Sequence, residues 1–261
     1  MRLDFEKYHG NGNDFIIINN MNGDIFLTQK EVQHLCHRQF GIGADGLMLI
    51  QPGRKTNFEM QYYNSNGLPG TMCGNGGRCI AAYAFAHKLA DRKILFSAVD
   101  GLHKAVINDV KTAGILYDVS LQMAPVSKVA KNANSYFLDT GSPHHVEFVK
   151  EVDEIDVFNR GRNIRNSKRY LPGGTNVNFV QITDDTLYVR TYERGVEEET
   201  LSCGTGVTAS ALAAFLETGK KNRRIKTRGG NFSVNFEGTL PFTDIWLQGP
   251  AQLIFKGITE L

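Results

Sequence analysis

The sequence is poor in cysteine, so disulfide bonds cannot provide its framework. Only four cysteines occur in 261 residues, too few for the disulfide network of a small secreted protein. We therefore expect a protein of the reducing cytoplasm whose thiols are available for chemistry. The four cysteines are Cys36, Cys73, Cys79 and Cys203.

Long apolar runs and an excess of charge of one sign are also missing. The longest mainly apolar runs, at residues 15–18 and in the alanine-rich stretches near 80 and 211, fall far short of the ~18–20 residues of a membrane span. The N-terminus carries Asp4 and Glu6 and lacks the apolar segment of a secretory signal. The 29 Lys and Arg and 27 Asp and Glu give a formal charge of +2 and are scattered along the chain. We expect no membrane partner, no secretory signal and no nucleic-acid partner.

The remaining composition is that of a globular protein large enough for one large core or two smaller ones. At this length roughly 70–75% of the unfolded chain's surface can be buried. Thr28 and Glu31 have capping-box spacing, and apolar residues recur at helical intervals until Gly41, which predicts a helix. Further predicted elements are strands at 47–50 and 58–63, a helix that begins near 73–77 and continues to 89, and hairpin turns at 100–101 and 108–109.

One short motif stands near the end of each half of the chain. CGNGGRCIAAYAF begins at Cys73 and CGTGVTASALAAF begins at Cys203, and the two share six residues at an offset of 130. Upstream of each motif, an alternating strand pattern ends in Tyr followed by a polar residue, Asn64 in one copy and Glu193 in the other. Two copies of so long a repeat indicate a duplicated domain rather than a solenoid.

Three simpler motifs do not predict a function. GIGADG at 41–46 has the GxGxxG spacing of dinucleotide-binding loops, but a helix precedes it and a strand follows, which is the reverse of the order that such loops need. His34, Cys36 and His37 are close in sequence, yet only Cys36 lies on the apolar helix face, so no metal site is expected. Cys79 follows Cys73 by six residues, which is not the spacing of a CxxC redox pair.

Cys73 and Cys203 are distinctive because each is followed by GxG and a helix. Glycines permit close approach of a ligand to the backbone, and the N–H groups of a first helical turn favour an anion. A thiol at a helix N-terminus is a competent base near neutral pH. Two such thiols, one on each side of an α-carbon, could remove a proton from one face and deliver a proton to the other. No lysine motif marks a Schiff base, and no cofactor is expected.

The sequence resembles the diaminopimelate epimerase family over nearly its whole length. The resemblance implies an α+β fold of two similar pseudo-symmetric domains, each a curved, mainly antiparallel sheet around a central helix, with the active site in the interdomain cleft. It implies domains at 1–118 (plus about 250–261) and 119–249, and a homodimer. Proline racemases and phenazine-biosynthesis isomerase-like proteins share the architecture but not this combination of blocks. The matching blocks are HGNGNDF at 9–15, GIGADG at 41–46, NSNGLPGTMCGNGGRC at 64–79, GSPHHV at 141–146, GRNIR at 161–165, GTNVNF at 174–179 and ERGVEEETLSCGTG at 193–206.

The resemblance also implies a reaction and a set of site residues. The reaction is the cofactor-independent interconversion of LL- and meso-diaminopimelate, a step toward lysine and peptidoglycan precursors. Cys73 and Cys203 are implied as acid and base, with His144 and Glu193 as supporting residues. The implied substrate-binding residues are Asn13, Asn64, Gly74, Asn75, Asn176, Glu193, Arg194, Gly204 and Thr205.

The sequence departs from the family pattern at several positions. Ser142 replaces a frequent Asn before the Pro-His pair, Gly46 replaces a residue that is polar in some members, and the segment from Gly195 to Cys203 is one residue longer than usual. None of these changes affects the two cysteines. Two alternatives remain open: a racemase acting on a smaller amino acid such as proline, and a non-catalytic anion-binding protein with structural cysteines.

Overall fold

The protein, described by a computed structural model over residues 1–221 and 224–261, divides into two compact units. The first unit comprises Met1–Leu121 with Gly249–Leu261, and the second comprises Gln122–Gln248. The elements that begin in the first are β1 (Arg2–Gly10), β2 (Asn13–Asn19), α1 (Gln29–Cys36), β3 (Gly46–Gln51), β4 (Phe58–Asn64), α2 (Gly74–Ala86), β5 (Lys93–Ala98), β6 (Gly101–Lys111), a 3-10 turn (Thr112–Gly114) and β7 (Leu116–Met123). Those that begin in the second are β8 (Val129–Asn132), β9 (Ser135–Asp139), β10 (Pro143–Phe148), α3 (Val157–Arg165), β11 (Asn176–Thr183), β12 (Thr186–Glu193), β13 (Glu198–Thr200), α4 (Gly204–Thr218), β14 (Arg224–Thr227), β15 (Gly230–Glu237) and β16 (Thr243–Glu260).

The sheet of the first unit runs in chain order from β1 to β7 and then closes on itself. The pairs β2–β3 and β4–β5 are parallel, and the other neighbouring pairs from β1 to β7 are antiparallel. The C-terminal part of β16 lies next to β7 in the strand order and pairs with β1, with Glu260 opposite Arg2 and Gln252 opposite His9. Closure leaves fewer strand edges with unpaired backbone groups.

The second unit repeats this pattern of strand pairing. Its order is β9-β10-β11-β12-β14-β15-β16, with β10–β11 and β12–β14 parallel and the intervening pairs antiparallel. These are the same positions at which parallel pairs occur in the first unit. The expectation of a duplicated domain is therefore confirmed in the topology as well as in the sequence motif.

Each sheet packs against one buried helix. Helix α2 contacts β1, β2 and β6, and helix α4 contacts β9 to β12 and β15. Gly and Ala dominate both helices, which keeps the helix diameter small; the buried stretches of α2 and α4 run from Gly74 to Ala84 and from Gly204 to Ala214, with only Thr205 less than fully buried. The expected α+β class, two similar sheet-dominated units each with a central helix, is confirmed.

The predicted helix after Thr28 exists but ends early. Thr28 and Glu31 form the expected capping box, and Cys36 is buried while His34 and His37 are exposed. The helix ends at Cys36 and does not continue to Gly41 as predicted. The ring Nδ1 of His37 accepts hydrogen bonds from the backbone N–H groups of residues 39 and 40, at 3.2 Å each, and this favours a turn over another helical turn.

Two further boundaries differ from the sequence predictions. The hairpin turn at 100–101 is present, but the one predicted at 108–109 is wrong: Asn108 lies at a bulge inside β6, and the chain reverses at Thr112–Gly114 instead. Helix α2 ends at Ala86, three residues before the predicted end, and Lys88 has a positive φ of 57°. Among the helices in residues 1–221 and 224–261, none has both the length and the apolar character that crossing a bilayer requires.

Candidate active site

Cys73 occupies the N-cap position of α2. Its φ and ψ of −104° and 152° are extended, and its Sγ accepts a hydrogen bond from the N–H of Gly76 at 3.2 Å. The first turn of α2 has no acidic residue. The partial positive charge of the helix N-terminus therefore acts on the sulfur and on the neighbouring N–H groups of Gly74 and Asn75, which could bind an anion.

Two asparagines predicted as substrate-binding residues lie beside Cys73. Asn13 Oδ1 is 3.9 Å from the Cys73 Sγ and accepts a hydrogen bond from Asn75 Nδ2 at 3.3 Å. Asn13 Nδ2 donates to a carboxylate oxygen of Asp45 at 2.7 Å. By contrast, Asn64 lies at the exposed end of β4 and pairs with Gly46 of β3. Among residues 1–221 and 224–261, no hydrogen bond connects its side chain with that of Asn13.

Sequence reasoning missed Arg78, which lies inside the first unit beneath the start of α2. Its side chain is completely buried, and it donates to Gly74 O at 3.0 Å, Asn75 Oδ1 at 3.0 Å and Asn11 Oδ1 at 2.8 Å. Burial lowers the pKa of Arg78 to about 10, so it remains a cation at neutral pH. Gly10 leaves it room, because a Cβ there would stand 3.1 Å from Arg78 Nη2. The sequence feature that could have identified Arg78 is a charged residue within a run of small and apolar residues, CGNGGRCIAA.

A cluster of ion pairs supports the asparagines from the other side. Asp14 contacts Lys7 and Arg38 at 2.8 Å each, and Arg38 also contacts Asp45 at 2.7 Å. Burial opposes ionisation of Asp14, but hydrogen bonds from Arg38 and Lys7 outweigh it and lower its pKa to about 2. Lys7 is almost fully buried. The Asp45 carboxylate that holds Asn13 is thus itself held in place.

Cys203 occupies the equivalent N-cap position at α4 in the second unit. It is only 7% exposed, and its Sγ lies 3.4 Å from Thr205 Oγ1. Gly206 permits a close approach of α4 to β11, since a Cβ there would lie 2.3 Å from Asn178 Oδ1. The N–H groups that begin α4, in Gly204 and Thr205, could bind an anion as those of α2 could.

His144 lies in β10, fully buried, and is linked to Thr205 through Ser142. Its Nε2 is 3.0 Å from Ser142 Oγ, and Ser142 Oγ is 3.2 Å from Thr205 Oγ1. Its Nδ1 is 3.1 Å from Asn178 Nδ2. Burial, with a smaller effect of the positive charge of Arg194, lowers the pKa of His144 to about 3. His144 is therefore a neutral imidazole at physiological pH.

Asn176 connects Ser142 with the loop that follows β12. Its Nδ2 donates to Ser142 Oγ at 3.2 Å and to Pro143 O at 3.0 Å, while its Oδ1 accepts from the backbone N–H of Arg194 at 2.9 Å. The structure thus brings together Asn176, Arg194, His144 and Thr205, which were predicted from the sequence. Glu193 ends β12 and accepts a hydrogen bond from Thr200 Oγ1 at 2.8 Å.

Sequence reasoning could not place Glu197, because the loop is one residue longer than the family pattern. Its φ is +63°, a left-handed conformation that is unfavourable for a residue with a side chain. The Glu197 carboxylate accepts hydrogen bonds from Arg165 at 2.8 and 3.1 Å, from the Gly195 N–H at 3.0 Å and from Tyr192 Oη at 3.2 Å. These contacts fix the loop that carries Glu193 and Arg194.

Metal-ligating side chains are dispersed in the part of the chain that the structure describes. There, no three His, Cys, Asp or Glu side chains come close enough together to hold an ion. The Cys73 sulfur lies beside an amide and a backbone N–H group, and the Cys203 sulfur lies beside a hydroxyl. Such groups bind carboxylates and amino groups through hydrogen bonds.

Comparison with known proteins gives one consistent result at the sequence level. The family profile described as diaminopimelate epimerase matches residues 5–129 and 136–253. A protein of that name from Flavobacterium psychrophilum is 48% identical over 257 residues, covering 96% of this chain and 97% of its own. Another of that name, from Chlorobaculum tepidum, is 42% identical over 266 residues, covering 97% and 99%.

Solved structures show the same fold in more distant proteins. A phenazine biosynthesis protein of the PhzF family from Bacillus anthracis has a TM-score of 0.75 at 12% identity, with 100% of both chains covered. A probable proline racemase from Agrobacterium radiobacter has a TM-score of 0.68 at 13% identity, covering 99% of this chain and 92% of that one. At such low identity the likeness concerns the fold alone.

Proposed function

Since the chain belongs to the diaminopimelate epimerase family, we propose that it interconverts LL- and meso-2,6-diaminopimelate without a cofactor, using Cys73 and Cys203 as the two proton-transfer groups. The observation that carries this proposal is the repeated thiol. Each unit places a cysteine at the N-cap of its buried helix, at the same position of a duplicated motif. The family match then extends along both units.

The proposed chemistry is a two-base epimerisation. One cysteine, as the thiolate, removes the α-proton, while the other, as the thiol, donates a proton to the opposite face of the planar carbanion. The mechanism requires both sulfur atoms to reach one α-carbon. The N–H groups of Gly74, Asn75, Gly204 and Thr205 are proposed to hold the adjacent carboxylate, whose negative charge grows in the transition state.

The other predicted residues are proposed to bind the distal end of the substrate. The guanidinium of Arg194 can hold the distal carboxylate in a bidentate manner, and the side chains of Asn13, Asn64, Asn176 and Glu193 offer partners to the ammonium groups. His144 is neutral and buried. We therefore assign it a positioning role through hydrogen bonds rather than a role as a base.

Proton exchange tests the proposal directly. The reduced protein is incubated with LL-diaminopimelate in deuterated water, and the α-proton signal is followed by NMR. Loss of the signal with appearance of the meso isomer is the expected result, and both Cys73→Ala and Cys203→Ala should abolish it. No exchange would overturn the assignment. Exchange of proline instead would favour a racemase of the kind seen among the fold relatives, and binding without exchange would favour an anion-binding protein.

We propose in addition that the protein acts in the cytoplasm as a homodimer. The C-terminal part of β16 exposes three large apolar side chains, each about half exposed, which a second copy of the chain could cover. Light scattering after gel filtration should give twice the 29.0 kDa chain mass. The double variant Phe255→Ser/Ile258→Ser should shift the protein to the monomer, and a monomeric wild-type protein would overturn the assignment. The three side chains are Ile254, Phe255 and Ile258.

A further inference from the structure

A hydrogen bond between two side chains connects β10 with the segment between α3 and β11, residues 166–175, here called the α3–β11 segment. Tyr170 Oη in this segment is 2.7 Å from Nδ1 of His145 in β10. The Tyr170 ring also stacks on Phe137 of β9, with ring centroids 5.3 Å apart, and the Arg169 guanidinium lies over it at 5.2 Å. Most of the segment consists of turns. Tyr170 therefore holds a turn-rich part of the chain against the sheet of the second unit.

The His145 ring is buried, with only 7% of the side chain exposed, and its second nitrogen faces a carboxylate. Nε2 lies 3.6 Å from Glu147 Oε2. Interaction with His145, followed by the positive charge of Arg160, outweighs burial and lowers the pKa of Glu147, which is ionised at neutral pH. A carboxylate attracts the ring hydrogen to Nε2, and in a neutral ring this leaves Nδ1 as an acceptor. Burial raises the pKa of Tyr170, so its hydroxyl keeps the hydrogen that it donates to Nδ1.

The bond to Tyr170 is the one that fixes the orientation of the His145 ring. Within residues 1–221 and 224–261, His145 Nε2 is a buried atom without a hydrogen-bond partner. A buried polar atom without a partner costs free energy, and a residue that serves packing alone gains nothing from it. The arrangement at His145 therefore indicates a role for its other nitrogen, the one that receives the Tyr170 hydroxyl.

The α3–β11 segment leads directly from Tyr170 to Arg194, the residue proposed to bind the distal carboxylate. The carbonyl of Gly173 accepts a hydrogen bond from Arg194 Nη1 at 3.3 Å. The Gly174 N–H donates to the Tyr170 carbonyl at 2.7 Å, which closes the turn that carries the Gly173 carbonyl. The backbone N–H of Arg194 is held separately, by Asn176 Oδ1. The position of Tyr170 thus determines where the acceptor for the Arg194 guanidinium stands.

The orientation of the Arg194 guanidinium matters because a bidentate contact depends on it. The bond from Nη1 to Gly173 fixes the plane of the group. The opposite edge, formed by Nε and Nη2, presents two parallel N–H groups that match the two oxygens of a carboxylate. A guanidinium that rotates away from this plane keeps its charge but loses one of the two hydrogen bonds.

We propose that Tyr170 and His145 are positioning residues for Arg194. Their hydrogen bond holds the α3–β11 segment so that the Gly173 carbonyl orients the guanidinium toward the second carboxylate of a dicarboxylic amino acid. The role in substrate binding rests on the proposed function of Arg194. The mechanical link from His145 through Tyr170 and Gly173 to the guanidinium does not.

Two measurements test this link without substrate. Tyr170→Phe retains the ring and its stacking but removes the hydroxyl. Trypsin cleavage after the exposed Lys168 reports on opening of the segment, and phenylglyoxal labelling of Arg194, followed by peptide mass spectrometry, reports on release of the guanidinium. Both rates should rise about fivefold in the variant, the effect of one lost hydrogen bond. Rates equal to those of the wild type would overturn the proposal.

Matched variants separate the hydrogen bond from general effects on packing. Tyr188→Phe removes the hydroxyl of a tyrosine in β12 that packs against the core of the same unit, and should change neither rate. His145→Asn retains a polar atom near the position of Nδ1 and should remain close to the wild type, whereas His145→Leu should match Tyr170→Phe. Equal acceleration in Tyr188→Phe and Tyr170→Phe, or identical rates in the two His145 variants, would refute a specific role for the hydrogen bond.

Kinetics with LL-diaminopimelate test whether the link acts through Arg194. Tyr170→Phe should raise KM about fivefold and leave kcat nearly unchanged. In an Arg194→Ala background the same substitution should lower kcat/KM no further, because the group that it positions is gone. Effects that multiply in the double variant would show that Tyr170 acts independently of Arg194 and would overturn the proposal.

A failure of the proposed function can be told apart from a failure of this proposal. A wild-type protein that does not epimerise diaminopimelate would overturn the former. The trypsin and phenylglyoxal rates would still be measurable on that protein and its variants, and they decide whether Tyr170 and His145 position Arg194.

Discussion

Cys73 and Cys203 occupy the same structural position, the residue before the first turn of the buried helix, 130 residues apart. The residues five positions further along differ in kind. Arg78 in α2 is a buried cation, whereas the hydroxyl of Thr208 in α4 donates a hydrogen bond to the Gly204 carbonyl at 3.0 Å. The side chains that stabilise the first turn of the helix after each thiol therefore differ between the two copies of the motif.

Loss of Arg78 should destabilise the protein far more than loss of Thr208. Arg78→Met removes the donor to Gly74 O, Asn75 Oδ1 and Asn11 Oδ1 inside the first unit. We expect a decrease of about 3–5 kcal/mol in the free energy of unfolding, as for other broken buried charge networks. Urea denaturation at neutral pH measures it. The matched variant Thr208→Val should cost less than about 1.5 kcal/mol; similar losses in both variants would contradict this account.

Acidification should destabilise the protein through His144. Its pKa is about 3 in the folded state and near 6.5 when unfolded. The unfolded chain therefore binds a proton that the folded protein does not, and stability falls as the pH decreases from 6.5 toward 3. For one group the slope approaches about 1.4 kcal/mol per pH unit.

The pH dependence of urea denaturation between pH 6.5 and 4.5 tests this statement. His144→Gln should flatten the dependence, although it lowers the stability at pH 7. The control His34→Gln changes an exposed histidine of α1 and should leave the slope unaltered. An unchanged slope in His144→Gln would show that the buried imidazole does not exclude the proton.

Asp14 should contribute to acid sensitivity in a lower pH range. Its folded pKa of about 2 lies below the ordinary value of 3.8, so the ionised form stabilises the folded state. This stabilisation is complete above pH 4 and is lost as the pH falls toward 2. Because Arg38 is largely exposed to solvent, we expect only about 1–2 kcal/mol. Asp14→Asn should remove this component in acid titrations followed by circular dichroism. An acid transition of Asp14→Asn identical to that of the wild type would contradict this contribution of Asp14.

Glu197 should act on substrate affinity through the loop that it holds. Glu197→Gln weakens the ion pair with Arg165 and the bond to Gly195 N–H, and so loosens the loop of Arg194. We expect KM for diaminopimelate to rise about tenfold, with a smaller change in kcat. The neighbouring exposed Glu198 serves as a control, since Glu198→Gln should change neither constant. A lower kcat at constant KM would place Glu197 in the chemical step instead.

Glu197→Gly separates backbone strain from the contacts of the carboxylate. Glycine adopts the φ of +63° without penalty, so Glu197→Gly should be about 1 kcal/mol more stable than Glu197→Ala, which loses the same contacts but keeps the unfavourable conformation. The carboxylate contacts are lost, so KM should still rise. Thermal unfolding and steady-state kinetics on the same sample distinguish the two effects. Normal KM in this variant would show that the loop needs no carboxylate.

Features with a local physical cause could be predicted from the sequence. The capping box at Thr28, the strands that became β3 and β4, and the positions of Cys73 and Cys203 before helices all depend on neighbouring residues. Predictions failed where a side chain competed with the pattern. The ring of His37 ended α1 early, and a bulge at Asn108 replaced the expected turn.

The sequence by itself determined the duplicated motif, the two helix-capping thiols and the family, because these are properties of residue order and spacing. Only the tertiary structure decided which way each amide and imidazole near the thiols is oriented. Those orientations depend on partners distant in sequence: Asn178 is bound to His145, and Arg78 to Asn11. A pattern of letters does not record which atom of an amide faces a backbone carbonyl, because that orientation depends on the three-dimensional positions of both partners.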